Sequence, residues 1–419
     1  MNATMEGLKA RLPAGGLLGG KEWRFSPEPL SLKPEELKII QNLGIYLAKF
    51  QKAANLLYRQ SVNGTAPEWV ARWCDRGKPE ALLALAREGE QADALPSLIR
   101  PDLILTDDGP VLTEIDSVPG GTGLTAWLQE QYGSGNAHLL LGDTGMKKQL
   151  QQRFENYDVV ISEEAADYRP ELEWLYGSEA VHPAETYAFS GKPVYRFFEA
   201  FDWPQLSGLH DSWEPAQIVD APLKPYLEEK LWLALFWLKP LERFWCQELG
   251  GKYFRELRKI IPYTWILEPA TLPPHAVFPE LNIHSWEELK NFSQKDRDLV
   301  LKISGFSPLG WGSRGVHVGA DMSGEDWSQA VDRALAGAAE HPYILQPFRK
   351  GRLIRHPYFD SETGETRLLE GRVRLCPYYL RAEKQVTCLG AQATICPSDK
   401  KLIHGMSDAI IVPVSARPD

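Results

Sequence analysis

Arg100, Asp102, Glu114 and Asp116 carry the first chemical signal in the chain, because charged side chains fall at alternate positions in two short segments. The residues between and around them predict strands over 102–106 and 111–116, joined by an Asp107-Asp108-Gly109 loop whose glycine can take a positive φ. Across a three-residue loop Asp102 opposes Glu114 and Arg100 opposes Asp116. Alternation then places those four side chains on one face and Leu103, Leu105, Val111 and Ile115 on the other.

Like charges facing each other across a hairpin destabilise it by up to roughly 1 kcal/mol per pair, so such a cluster calls for a cation. Oxygen ligands without a nearby His or Cys suit a hard ion such as Mg²⁺, and Arg100 can hold a phosphate or carboxylate beside it. The competing reading is a solvent-washed hairpin whose charges keep a sheet edge soluble. A loop of even length would set Asp102 and Glu114 on opposite faces and remove the argument.

A second signal lies in the last third of the chain. Residues 298–304 read as an apolar strand interrupted by Lys302, and Gly305, Gly310, Gly312 and Gly315 follow at once, with Ser313 and Arg314 among them. A strand lysine is rarely buried without a partner, and a phosphate oxygen is one. Glycine-rich backbone can converge N–H groups on an anion, although the loop is no Walker A, since no GK[ST] ends it; a purely structural turn is the alternative. Arg372 and Arg374 share a face by parity and can both reach phosphates. Arg196, Glu199 and Asp202 either line a substrate pocket or decorate a strand end.

The elements that position these groups are legible in outline. Pro34-Glu35-Glu36 opens a helix, and Leu37, Ile40, Leu43, Leu47, Phe50, Ala54 and Leu57 form its apolar stripe. Helices are expected over 78–87 and 124–132, then strand 138–142, helix 146–154, strand 158–162 and helix 170–176. This alternation predicts a small parallel, Rossmann-like unit without a GxGxxG turn. A long apolar helix from 223 through Trp237, a second over 241–257, a helix over 327–340 and a strand over 343–348 complete the middle. Antiparallel strands are expected over 351–358 and 370–377.

Composition narrows the classes. The chain has 419 residues, 43% hydrophobic and 24% charged, enough for two or three lobes. A net charge of −10 and the lack of a basic run disfavour nucleic-acid binding. The five cysteines are scattered without a CxxC pair, so neither a disulfide framework nor a zinc site is indicated. No signal peptide or membrane span is evident, and a cytoplasmic protein is expected.

The order of these pieces resembles an ATP-grasp ligase in circularly permuted form, in particular the synthetase domain of glutathionylspermidine synthase. That family carries Arg-x-Asp, eleven residues, then Glu-x-Asn on its metal-binding strands; Arg100-Pro-Asp102 and Glu114-Ile-Asp116 keep the spacing, with Asp for Asn. Glu229-Lys230 resembles the pair that opens a following helix, residues 299–315 the lysine strand and glycine loop, and 343–348 the strand passing the adenine. The loop departs from the family's Gly-Arg-Glu-Gly form, and the chain is too short for the family's separate amidase domain.

The resemblance implies an α/β (α+β) fold, ATP-grasp-like in permuted order. Its parts would be a helical region over 1–95, a metal-binding hairpin over 96–132, a Rossmann-like substrate unit over 133–222 and nucleotide-binding lobes over 223–419. It implies an ATP- and Mg²⁺-dependent ligase joining a small-molecule carboxylate to an amine through an acyl phosphate. Asp102, Glu114 and Asp116 would hold Mg²⁺ and Arg100 would act on the acyl phosphate. Lys302 and Lys230 would hold phosphates under a loop of Gly310, Gly312, Ser313, Arg314 and Gly315, with the backbone near Gln346 at the adenine and Arg372 and Arg374 also serving the nucleotide. A non-catalytic nucleotide-binding scaffold and a phosphotransferase without an amine acceptor remain as alternatives.

Overall fold

The computed structural model describes residues 4–116, 118–133, 141–142, 145–310, 314–382, 385–400, 403 and 407–418. The architecture is mixed α/β. Its strands in chain order are β1 (Leu30–Leu32), β2 (Leu98–Thr106), β3 (Gly109–Asp116), β4 (Asp158–Ile161), β5 (Val181–Pro183), β6 (Val194–Phe197), β7 (Val219–Asp220), β8 (Trp265–Leu267), β9 (Leu299–Ile303), β10 (Val316–Val318), β11 (Tyr343–Pro347), β12 (Ile354–Phe359), β13 (Thr366–Ala382), β14 (Gln385–Pro397) and β15 (Ile410–Pro418). The chain divides into two compact units, one of residues 1–48, 94–222 and 350–419, the other of residues 49–93 and 223–349. Residues 350–419 thus cluster with the acidic hairpin.

Among the described residues the first unit contains two sheets. The larger runs β1-β15-β14-β13-β2-β3, with β12 paired to the opening of β13. The smaller runs β5-β4-β6-β7, and every pairing in it is parallel. This is the alternating strand and helix pattern of the sequence, held by a core that includes Phe154, Val159, Ile161, Leu172, Leu175, Tyr195 and Phe197. Most of the strand expected over 138–142 lies outside the described residues.

In the second unit β10-β9-β11-β8 form an antiparallel sheet. Leu299, Leu301, Leu345, Trp265 and Leu267 point to one face, where they pack with Trp327, Ala330, Val331 and Ala334 of the helix Gly324–Gly337. By parity Val300, Lys302, Ile344 and Gln346 occupy the other face. One apolar and one mixed face on a four-stranded sheet leave the polar groups only one direction to serve.

The stripe of the N-terminal helix, Pro34–Val62, is buried as its spacing requires, with Leu37, Ile40, Leu43, Leu47, Phe50, Ala54 and Leu57 in the core. Two expected helices are shorter. The apolar run after Lys230 makes only the helix Leu231–Leu235, because Trp232, Leu233, Ala234 and Phe236 are all buried and Lys239-Pro240 begins a separate turn. The span 241–257 is two helices, Glu242–Leu249 and Gly251–Ile260, broken at Gly250 with φ of 78°.

Candidate functional site

The acidic hairpin forms with a different loop and the same pairing across its charges. Thr106 pairs with Gly109, so the loop is the two residues Asp107-Asp108 rather than three. That shift alone would have separated Asp102 from Glu114. A β-bulge inserts one residue at Thr113, however, so Leu103 pairs with Leu112 while Asp102 pairs with Glu114 and Arg100 with Asp116. The Thr113 hydroxyl donates to the Asp102 carbonyl at 3.0 Å and fastens the bulge. Two corrections follow for the apolar face: Leu112 joins Leu103 and Leu105 in the core, and Val111, expected there, pairs with Ile104 on the other side.

Arg100 stands between the acids. Its Nε donates to Asp102 Oδ1 at 3.0 Å, its Nη2 lies 2.9 Å from Asp116 Oδ2, and its Nη1 donates to the Gly120 carbonyl at 3.0 Å. Asp102 also meets Arg374 Nη1 at 3.5 Å and receives the Cys376 thiol at 3.4 Å, because β13 runs beside β2 with Arg374 opposite Ile104. Burial pushes the Asp102 carboxyl up, yet Arg100 and then Arg374 hold it below the ordinary carboxylate range. Asp116 goes the other way, raised by burial against the pull of Arg100, with Glu114 adding to the rise. The Cys376 thiol is pushed up to about 12 by burial and then by Asp102, and stays protonated.

A cation site among these acids is restricted by that arginine. Among the described residues no group of three or more His, Cys, Asp or Glu is gathered closely enough to cage a metal ion. The donor chemistry fits Mg²⁺ in its usual form, in which one or two carboxylates bind and phosphates and water complete the shell. Glu114 and Asp116 on β3 are adjacent members of one face for that purpose.

Arg374 is placed differently from Arg372. The Arg372 guanidinium donates to the carbonyls of Gly351, Ser398 and Lys400, which fixes the backbone around it. Arg374 Nε has no hydrogen-bond partner among the described residues, and neither does Thr394 Oγ1, on the residue directly opposite it on β14. A donor and a hydroxyl without partners on residues paired across one face of the sheet fit an anion.

In the second unit, Lys302 Nζ donates to Gln346 Oε1 at 3.0 Å, Gln346 Nε2 to Thr264 Oγ1 at 3.0 Å, and Thr264 Oγ1 to the Pro262 carbonyl at 2.9 Å. Lys230 Nζ donates to the Gly310 carbonyl at 3.1 Å. Beneath the glycine loop, Glu229 forms an ion pair with Lys78 in which both side chains are fully buried, and accepts from the Ser304 hydroxyl. Gly315 is required by its surroundings, because a Cβ there would lie 2.6 Å from the Leu309 carbonyl oxygen. Arg314 is exposed, and Gly312 and Ser313 lie outside the described residues.

Arg196, Glu199 and Asp202 do not line a pocket together. Arg196 is fully buried and donates to the carbonyls of Phe198, Ala221 and Pro222. Glu199 and Asp202 form the capping box of the turn Ala200–Gln205. The residues that the sequence did not single out are Glu171, Tyr378, Cys376, Thr394 and Lys78, while Glu229 entered only through its place beside Lys230. Their partners across the fold lie 47 to 274 residues away, except for Thr394, whose pairing needs the β13 register. Only Glu229, beside Lys230, carried a local cue.

No family model matches the chain, and no curated protein does. Among solved structures, a glutathione synthetase-like effector from Globodera pallida in its apo form is 11% identical, with 97% of this chain and 94% of that one covered and a TM-score of 0.49. A putative gamma-glutamylcysteine synthetase from Methylobacillus flagellatus KT is also 11% identical, covering 85% and 86% with a TM-score of 0.36.

Proposed function

We propose that the chain is an ATP- and Mg²⁺-dependent carboxylate–amine ligase of permuted ATP-grasp type, acting on small-molecule substrates. One observation carries the reading: Arg100 and Asp102 stand opposite Asp116 and Glu114 on a single face, in the spacing at which the ATP-grasp family described above places its metal-binding strands. In that reaction a carboxylate oxygen attacks the γ-phosphorus of ATP and ADP leaves. The amine nitrogen then attacks the acyl carbon, phosphate departs with the C–O bonding pair, and the amine proton is lost to water.

Each group has a role within its own unit. Lys302 and Lys230 hold phosphate oxygens, and the face shared by Lys302, Ile344 and Gln346 receives the nucleotide. Arg100 and Arg374 steady the negative oxygens of the acyl phosphate and of the departing phosphate. Glu114 and Asp116 would hold Mg²⁺, which when bound would draw off the charge that develops on the phosphates, while Asp102 beside them holds Arg100 and Arg374. Mg²⁺-dependent release of ADP from ATP in the presence of pooled carboxylates and amines tests the reading; ATP binding without any release would defeat it.

One observation favours the second reading, a nucleotide-binding scaffold without turnover. Arg100 already has two carboxylates and a carbonyl as partners, as a structural arginine would. Arg100→Ala discriminates between the two, since a scaffold keeps its ATP affinity and has no turnover to lose.

A further inference from the structure

The helix Thr122–Gly133 begins directly after Pro119-Gly120-Gly121, a sequence without a side chain able to cap it. The cap comes from 50 residues further on. Glu171, in the helix Arg169–Tyr176 and fully buried, accepts from the Gly121 N–H at 2.7 Å through Oε1 and from the Leu124 N–H at 2.9 Å through Oε2. A carboxylate there also meets the positive end of the helix dipole.

The Gly121 N–H belongs to the same planar peptide group as the Gly120 carbonyl. That carbonyl accepts from Arg100 Nη1 at 3.0 Å and from the Tyr378 hydroxyl at 2.8 Å. One peptide is therefore held at its N–H end by Glu171 and at its carbonyl end by Arg100. Glycines on both sides leave it free to rotate once either grip is lost, and Gly120 is needed in any case, because a Cβ there would sit 2.3 Å from the Tyr168 ring.

We propose that Glu171 is a positioning residue for Arg100, acting through the Gly120–Gly121 peptide, so that the arginine is aimed at the acyl phosphate only while that peptide is locked. The proposal rests on the ligase reading for its consequence in catalysis, and on the local geometry alone for the lock. Both carboxylate oxygens accept N–H bonds, so adding a proton removes one acceptor and loosens the grip. Burial raises the Glu171 carboxyl to about 7 despite the three backbone N–H groups that favour its ionised form, with Arg100 also lowering it. The other groups facing it are Tyr168, Tyr176, Tyr195 and Tyr378, all pushed up by burial and neutral through this range.

The test uses the full chain, its Glu171→Gln variant and its Tyr378→Phe variant. Hydrogen exchange at the Gly121 and Leu124 amides, corrected for intrinsic rates, is followed from pH 5.5 to 8.5 together with ADP release. In the unaltered chain protection and kcat rise together as pH passes through about 7. In Glu171→Gln protection is low and independent of pH, and kcat falls about tenfold with the KM for ATP unchanged, the loss of about one hydrogen bond to a charged group. Tyr378→Phe, which keeps Glu171, retains the pH midpoint with a smaller loss of protection, and decides the matter if Glu171→Gln does not fold. A chain that shows the exchange behaviour but releases no ADP keeps the lock and loses the ligase reading. An active chain whose exchange and pH profile are the same with and without Glu171 overturns the inference.

Discussion

The two polar faces of the molecule hold their cations by different means. On the large sheet of the first unit, Arg100 is bound by two carboxylates and a carbonyl, and Asp102 is shared with Arg374. On the sheet of the second unit, Lys302 leads into a relay of neutral groups, Gln346 and Thr264, and the strong ionic contact, Lys78 with Glu229, lies under the glycine loop. The first arrangement couples the chemical groups to the stability of the sheet. The second separates them, with the ion pair supporting the backbone and Lys302 held through the neutral Gln346.

That separation sets the largest expected effect. Lys78→Met removes the ion-pair partner of the fully buried Glu229 side chain, and breaking such a pair from one side costs about 3–5 kcal/mol. Arg100→Met uncovers Asp102 and Asp116, whose side chains are 10% and 23% exposed, so water offsets part of the loss and about 2 kcal/mol is expected. Urea unfolding followed by tryptophan fluorescence ranks the two. An equal or reversed order would contradict the contrast between the faces.

The next effect reverses sign within one unit. Glu171 keeps its proton to about 7 in the fold and releases it near 4.5 when unfolded, so the folded chain binds more protons between those values. Its contribution is fully present below about 4.5 and is lost as pH rises through 7, by about 3 kcal/mol in all. Asp102, held below its ordinary range, contributes above that range and loses its contribution as pH falls. Denaturation of the chain and of Glu171→Gln at pH 5 and pH 8 isolates the first term. A stability difference that does not change between the two pH values would remove it.

Lys302→Ala is expected to weaken ATP binding about ten- to thirtyfold, the worth of one hydrogen bond to a charged group, with little change in unfolding. Calorimetric titration with ATP checks both the affinity and, through a thermal scan, the fold. If the variant unfolds readily while binding ATP normally, Lys302 belongs to the sheet rather than to the nucleotide.

Much of this was legible from alternation. The helix stripe from Leu37 to Leu57 and the parallel unit follow from spacing, because period two and period 3.6 decide which side chains are buried together, whereas the charged face of the hairpin was expected from a three-residue loop and is instead brought about by the bulge at Thr113. Contacts that depend on tertiary packing were not legible. A glutamate in the first turn of a helix gives no sign that it caps another helix, and Lys78 with Glu229 are 151 residues apart. The long helix expected after Lys230 failed for a related reason: a run buried on every side needs no amphipathic period and stops where packing stops it.

The hairpin register itself gives the smallest and sharpest effect. The two-residue loop puts Leu105 and Leu103 opposite Pro110 and Leu112 on the core side, and regular alternation from there would carry Glu114 into the core and turn Thr113 out. The bulge prevents this by letting Thr113 and Glu114 both oppose Asp102. Deleting Thr113 makes Glu114 the direct successor of Leu112, which restores plain alternation with Glu114 and Asp116 on the charged face. The deletion is therefore expected to cost about 1 kcal/mol, mainly the bond from the Thr113 hydroxyl to the Asp102 carbonyl, and to leave Mg²⁺ dependence intact. Inserting one residue after Leu112 in the deleted chain should recover the bulge. A deletion that unfolds the sheet or abolishes metal dependence would show that the bend at Thr113, and not the face alone, aims the acids.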